Sequence, residues 1–133
     1  AHVVDLLRDE LERDGAQLRG ARVLIMGLAY KKNVDDVRET PAAEIIRLLL
    51  SAGAWVSYHD PHIDRFPLMR RYDFDLDSVA MEPEIISKQD AVIIVTDHDA
   101  VDYQLLADHA QLVLDTRNAM AGTTPAAARI VKA

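Results

Sequence analysis

Apolar positions along the chain follow two different periods, and the changes between them mark its elements. Residues 3 to 14 set Val4, Leu7 and Leu11 at i, i+3 and i+7, with charged residues between them and Gly15 as a stop, which predicts an amphipathic helix. Val23-Leu24-Ile25-Met26 is a continuous apolar run between Gly20 and Gly27. It lacks the alternation of a half-exposed strand and reads as a strand covered on both faces. Thr40-Pro41 reads as an N-cap followed by proline at the first helical position, with Ala42, Ile45, Ile46 and Leu49 on one face until Gly53 ends the helix. Trp55-Val56-Ser57-Tyr58-His59 has strand chemistry, and Pro61 drives Asp60 out of the α region, so the strand stops there.

Residues 62 to 81 admit either a helix with a short strand or an irregular connection, because Arg70-Arg71 and the alternating Asp73-Phe74-Asp75-Leu76-Asp77 fit both. Beyond them, Pro83-Glu84-Ile85-Ile86 predicts a short helix, Ala91-Val92-Ile93-Ile94-Val95 a buried strand, Tyr103 to His109 a helix, and Leu112-Val113-Leu114 a last strand. The Ala-rich stretch after Gly122 reads as a peripheral tail, residues 121–133. Strands that alternate with helices call for an α/β fold, a Rossmann-like three-layer domain with a mainly parallel sheet, right-handed crossovers and helices on both faces.

Composition narrows the chemistry. At 133 residues the chain fits one domain. It has no cysteine, which excludes disulfides, thiolate metal sites and any thiol nucleophile of its own. With 22 acidic against 15 basic residues the net charge is −7, which argues against a nucleic-acid surface and leaves room only for a local basic pocket. No apolar run approaches the ~18 residues of a membrane span, and the N-terminus lacks a signal-peptide pattern, so a soluble, cytoplasmic protein without a membrane partner is the expectation.

Parallel sheets bind ligands beyond the carboxyl ends of their strands. There the sequence sets Gly27-Leu28-Ala29-Tyr30-Lys31-Lys32, Thr96-Asp97-His98 and Asp115-Thr116-Arg117-Asn118. Lys31, His98 and Arg117 would ring one crevice, and a lysine point charge beside an arginine fork suits phosphate or pyrophosphate. The dinucleotide fingerprint G-x-G-x-x-G is missing, since Ala29 and Lys32 stand where glycines are needed. Asp60 sits where a ribose-binding acid belongs, but an acid before proline is also a common turn residue.

Plainer readings stand beside these. Lys31 and Lys32 also fit solvated loop charges, and Asp35, Asp36, Arg38 and Glu39 a surface salt-bridge cluster. The His59-Asp60-Pro61-His62 and Asp97-His98-Asp99 groups lack any recognised metal-ligand spacing, so no metal is expected. His98 has no nucleophile to serve as a general base and reads as a polar loop residue. No catalytic residue is assigned to this chain.

The stretch Gly27-Leu28-Ala29-Tyr30-Lys31-Lys32-Asn33-Val34-Asp35-Asp36-Val37-Arg38-Glu39-Thr40-Pro41, followed by Asp60-Pro61 and Asp115-Thr116-Arg117, resembles the C-terminal, UDP-binding domain of the UDP-glucose/GDP-mannose dehydrogenase family. Its wording is most similar to the branch acting on UDP-N-acetylglucosamine or UDP-N-acetylmannosamine. The resemblance implies an enzyme that oxidises the sugar C6 alcohol to a carboxylate in two NAD-dependent steps, with NAD held mainly by an N-terminal domain and the chemistry carried by a cysteine. It further implies that Tyr30, Lys31 and Arg117 contact the nucleotide-sugar, that Arg38 reaches NAD across a domain interface, and that Asp36 orients the first loop.

On that reading residues 1–19 are the end of an interdomain connecting helix, residues 20–120 the UDP-sugar-binding domain, and the partners are a UDP-sugar and the remainder of the parent dehydrogenase. The stripe of Val4, Leu7 and Leu11 would face a missing central domain and favour a homo-oligomer, unless the helix folds back on its own sheet. A free-standing nucleotide-binding or scaffolding module without catalysis is the alternative, and sequence upstream of Ala1 would decide between the two.

Overall fold

The computed structural model describes residues 2–29, 32–33, 41–67 and 72–133. The chain runs α1 (His2–Arg13), β1 (Arg22–Met26), α2 (Pro41–Ser51), β2 (Trp55–His59), α3 (Pro83–Ser87), β3 (Ala91–Ile94), α4 (Tyr103–His109), β4 (Leu112–Asp115) and β5 (Arg129–Lys132). All neighbours in the sheet are parallel, in the order β2-β1-β3-β4-β5. This is the expected Rossmann-like architecture.

Residue alternation along the central strands divides the core between two faces. Val23 and Ile25 of β1, Ile93 of β3 and Leu114 of β4 pack with α1 and α2. Leu24 and Met26, Val92 and Ile94, and Val113 pack with α3 and α4. Because both faces are covered, β1, β3 and β4 are apolar throughout their centres, which is why their sequences show runs instead of alternation.

The first helix folds back on its own sheet. Val4, Leu7 and Leu11 are all buried in the cluster that holds Ala43 and Ile46 of α2. Its stripe is therefore not left bare, and the apolar surface that the sequence offered for self-association is already used. Further along, α2 begins at Pro41, as the proline signal predicts, while Thr40 lies outside the described residues. The helix ends in a Schellman turn: Ala54 N–H donates to Leu49 O and Gly53 N–H to Leu50 O, with Gly53 at φ +88°.

One segment differs from its sequence reading, and another settles an alternative left open there. Leu112–Asp115 is not the last strand, because residues within the expected tail form β5, paired in register from Leu112↔Arg129 to Asp115↔Lys132. Its polar ends and half-exposed side chains are those of a sheet edge, and Arg129 ties it to α1 and the turn after it through ion pairs with Glu10 and with Asp14, the latter at 2.8 Å. Partnership of this kind has no local signature. Residues 72–79 form no named strand: Ser78 and Val79 meet β2, where Val79 N–H donates to Tyr58 O and Ser78 bridges Tyr58 in parallel, Asp77 bridges Arg65 in antiparallel fashion, and burial alternates between the half-buried Tyr72, Phe74 and Leu76 and the exposed Asp73, Asp75 and Asp77. The irregular alternative for this connection is the one observed among the described residues.

Candidate functional site at the carboxyl edge

After β1 the chain steps to β2 on one side and returns to β3 on the other, so the switch point of the sheet lies between the ends of β1 and β3. In a dinucleotide site the glycine-rich turn after the first strand offers its amides to a pyrophosphate at this place. Here the amides are already taken. Leu28 N–H and Ala29 N–H donate to Asp60 Oδ2 at 2.7 and 3.2 Å, and His62 N–H donates to Oδ1 at 2.8 Å. The buried Asp60 carboxylate from the end of β2 stands where a phosphate would sit, so it is not available to a ribose.

The seal extends to β3. Gly27 has φ +88°, and a Cβ there would lie 2.4 Å from Thr96 O, so only glycine lets the two loops close. Thr96 donates its hydroxyl to Ala29 O at 2.5 Å. His98, expected as a polar loop residue, is fully buried: Nε2 lies 2.8 Å from Asp60 Oδ2, and Nδ1 accepts the Asn33 N–H at 2.7 Å. Tyr103 donates its hydroxyl to His98 O at 3.1 Å, and burial pushes that phenol upward, so it stays a donor. His62 meets the His98 ring edge-on at 4.7 Å between centroids. His98 thus lies inside the seal and does not ring an open crevice.

The loop beyond carries surface charge. Asn33 sits at φ +63°, donates from Nδ2 to Asp99 at 2.8 Å and accepts the Asp99 N–H at 3.0 Å. Lys32 pairs with Asp99 at 3.4 Å, both well exposed, which is the solvated reading of that lysine. The Asn33 amide first, and then Lys32, hold Asp99 below the ordinary carboxylate range.

Next to the sealed switch point, the end of β4 is open. Asp115, also buried, accepts N–H bonds from Arg117 and Ala119 at 3.0 Å and from Met120 at 2.9 Å, which folds the Asp-Thr-Arg turn. Arg117 lays Nε on Val95 O at 2.8 Å, and its guanidinium has no carboxylate partner among the described residues. It lines a hollow of about 380 Å³ with Val3, Pro41, Glu44, Ile45, Val95 and Thr116, and a wider one of about 470 Å³ shared with Lys132. Another hollow of about 330 Å³, beside Arg22, Trp55 and Gln89, lies at the opposite, amino-terminal edge of the sheet.

Of the residues singled out in the sequence, Arg117 is therefore brought to an open crevice at the carboxyl edge. Tyr30, Lys31, Asp36 and Arg38 lie outside the described residues. Lys132 is a cation that the sequence reading missed, since it depends on β5 pairing beside β4.

Parallel order, a switch point at the carboxyl edge and, beside it, an arginine without a carboxylate partner among the described residues define a Rossmann-like α/β domain. Comparison makes this specific: residues 24–122 match the UDP-glucose/GDP-mannose dehydrogenase family, UDP binding domain, and the chain belongs to that family. It is 37% identical over 100 residues to a UDP-N-acetyl-D-mannosamine dehydrogenase of Methanococcus maripaludis, covering 75% of this chain and 21% of that protein. Against a UDP-glucose 6-dehydrogenase of Haloferax volcanii it is 33% identical over 123 residues, covering 86% of this chain and 26% of the relative. The solved UDP-glucose dehydrogenase of Pyrobaculum islandicum superposes with a TM-score of 0.63 at 30% identity, over 89% of this chain and 27% of that one. The UDP-D-ManNAc dehydrogenase of Pyrococcus horikoshii gives 0.72 at 21% identity over 97% and 29%, which speaks for the fold alone. The chain thus spans about a quarter of the length of these relatives.

Proposed function

We propose that this chain is the nucleotide-sugar-binding part of an NAD-dependent UDP-sugar 6-dehydrogenase of the cytoplasm, with Arg117, Tyr30 and Lys31 contacting the substrate. One observation carries the reading: in a chain of net charge −7, the guanidinium of Arg117 is anchored through Nε and open at the carboxyl edge, where a diphosphate would be met. An acidic surface otherwise repels an anion, so cations presented at this edge, Arg117 with Lys132 beside it, focus attraction there.

NAD does not fit the loop after β1. The donors it would need from Leu28 and Ala29 end on Asp60, and the glycine fingerprint is absent. We assign the dinucleotide to the remainder of the parent enzyme, with Arg38 reaching it from this domain and residues 1–19 closing the interdomain connection. The carbonyl chemistry needs a nucleophile that a cysteine-free chain lacks, so this chain alone should produce no NADH from UDP-sugars and NAD. The substrate we favour is a UDP-N-acetylhexosamine, supported by the wording of the first loop and by the mannosamine dehydrogenase relative.

The test is titration of the chain with UDP, followed by calorimetry or NMR, for wild type, Lys31→Ala, Arg117→Ala and the control Arg13→Ala. Weak UDP binding that fails in the first two variants and persists in the control is expected. Equal weakening by Arg13→Ala would mean nonspecific attraction and sink the assignment.

A further inference from the structure

Asp60 and His98 lie at the centre of the carboxyl edge, and the proposed nucleotide contact uses neither. Both are buried, yet each is fully engaged. One oxygen, Asp60 Oδ2, collects the amides of Leu28 and Ala29 and faces His98 Nε2, while His98 Nδ1 accepts the amide of Asn33. A ring nitrogen that accepts an N–H carries a lone pair, so the network assigns the imidazole proton to Nε2, pointing at the carboxylate. The pair therefore grips the loop at residues 28–29 through the carboxylate and at residue 33 through the ring. Residues 30 to 32 lie between these two fixed points in the sequence.

Packing alone does not call for such a pair. Burying a carboxylate is costly, and apolar side chains of similar volume commonly serve a core as well or better. What the pair adds is direction: three donors from one loop converge on acceptors held by the ends of β2 and β3, and Asn33 is kept in the left-handed region, which few residues favour.

We propose that Asp60 and His98 form a positioning unit that fixes Leu28, Ala29 and Asn33 at the carboxyl edge, and that this placement governs how the edge meets a nucleoside diphosphate. The second half rests on the functional reading above; the first stands on the geometry.

Two variants of His98 separate a directional role from a packing one. His98→Asn keeps an acceptor at the position of Nδ1, whereas His98→Gln keeps a donor at the position of Nε2 and loses the acceptor. Amide hydrogen exchange and UDP titration by NMR are measured on wild type, both variants and Arg117→Ala. The expected result is that His98→Gln loses exchange protection at Asn33 and binds UDP roughly tenfold more weakly, the loss of about one hydrogen bond's worth of ordering. His98→Asn should retain protection at Asn33 and recover most of the affinity. Equal effects of the two variants, whether both intact or both lost, would overturn the proposal, because a packing role responds to volume and not to which nitrogen is replaced. Lost protection in His98→Gln with unchanged affinity would overturn the link to the ligand. If wild type and Arg117→Ala alike show no response to UDP, the nucleotide reading fails, and protection at Asn33 in the two variants still decides whether the unit sets the loop.

Discussion

Two neighbouring crevices at the carboxyl edge of one sheet have been put to opposite uses. At the β1/β3 switch point the protein supplies its own anion: Asp60 takes the amides that a phosphate would otherwise receive, and Gly27, Thr96 and His98 close the gap around it. At the end of β4 the carboxylate of Asp115 is turned inward to fold the turn, and a cation, Arg117, is left facing outward. A Rossmann-like fold fixes where ligands can bind, but side chains decide which of those places stay open. The sealed crevice should therefore govern stability and reach binding only through the backbone it positions, while the open one governs binding directly.

The largest effect is expected from Asp60→Ala, which strips the acceptor from three buried or half-buried amides and from His98. A loss on the order of 3 to 5 kcal/mol in urea unfolding is expected; a loss below about 1 kcal/mol would mean that the seal contributes nothing beyond packing. Gly27→Ala follows, since it must adopt φ +88° and drive a Cβ into Thr96. About 2 to 3 kcal/mol should be lost, read as a lowered thermal midpoint.

Arg117→Ala should reverse the pattern. Stability should change by less than about 1 kcal/mol, because the residue is exposed and makes one bond to Val95 O, whereas UDP binding should weaken by about 2 kcal/mol. If Arg117→Ala unfolds the domain and leaves UDP affinity intact, the contrast between the crevices is wrong.

The smallest effect concerns the Glu10 and Arg129 pair, which lies outside both crevices and gives a baseline. Arg129 first, and Arg13 with it, hold the Glu10 carboxyl below its ordinary value of 4.5. A carboxyl with a depressed folded pKa adds stability that is complete above the unfolded value and is lost as pH falls through the folded one. Glu10→Gln should therefore lower stability slightly near neutrality and flatten the acid limb, so that the two proteins converge as pH falls below about 4.5, as a denaturation series across pH would record.

The sequence by itself determined most of the elements. Hydrophobic period and the signals at Pro41, Gly53, Pro61 and Pro83 are local, and so the four helices and the four strands up to β4 are legible from the sequence, because each buried face must be written into consecutive residues. The Gly27 to Pro41 stretch likewise pointed to the family, since its residue types are contiguous. Tertiary structure decided the rest. Whether α1 covered its own sheet depended on a surface far along the chain; β5 became a strand only because β4 offered it an edge; and the role of Asp60 depended on Leu28, Ala29 and His98, each more than thirty residues away in sequence. A carboxylate before a proline looks the same in sequence whether it binds a ribose or fills a phosphate's place. Which it does follows from where the backbone amides converge, and that convergence exists only once β1, β2 and β3 lie side by side.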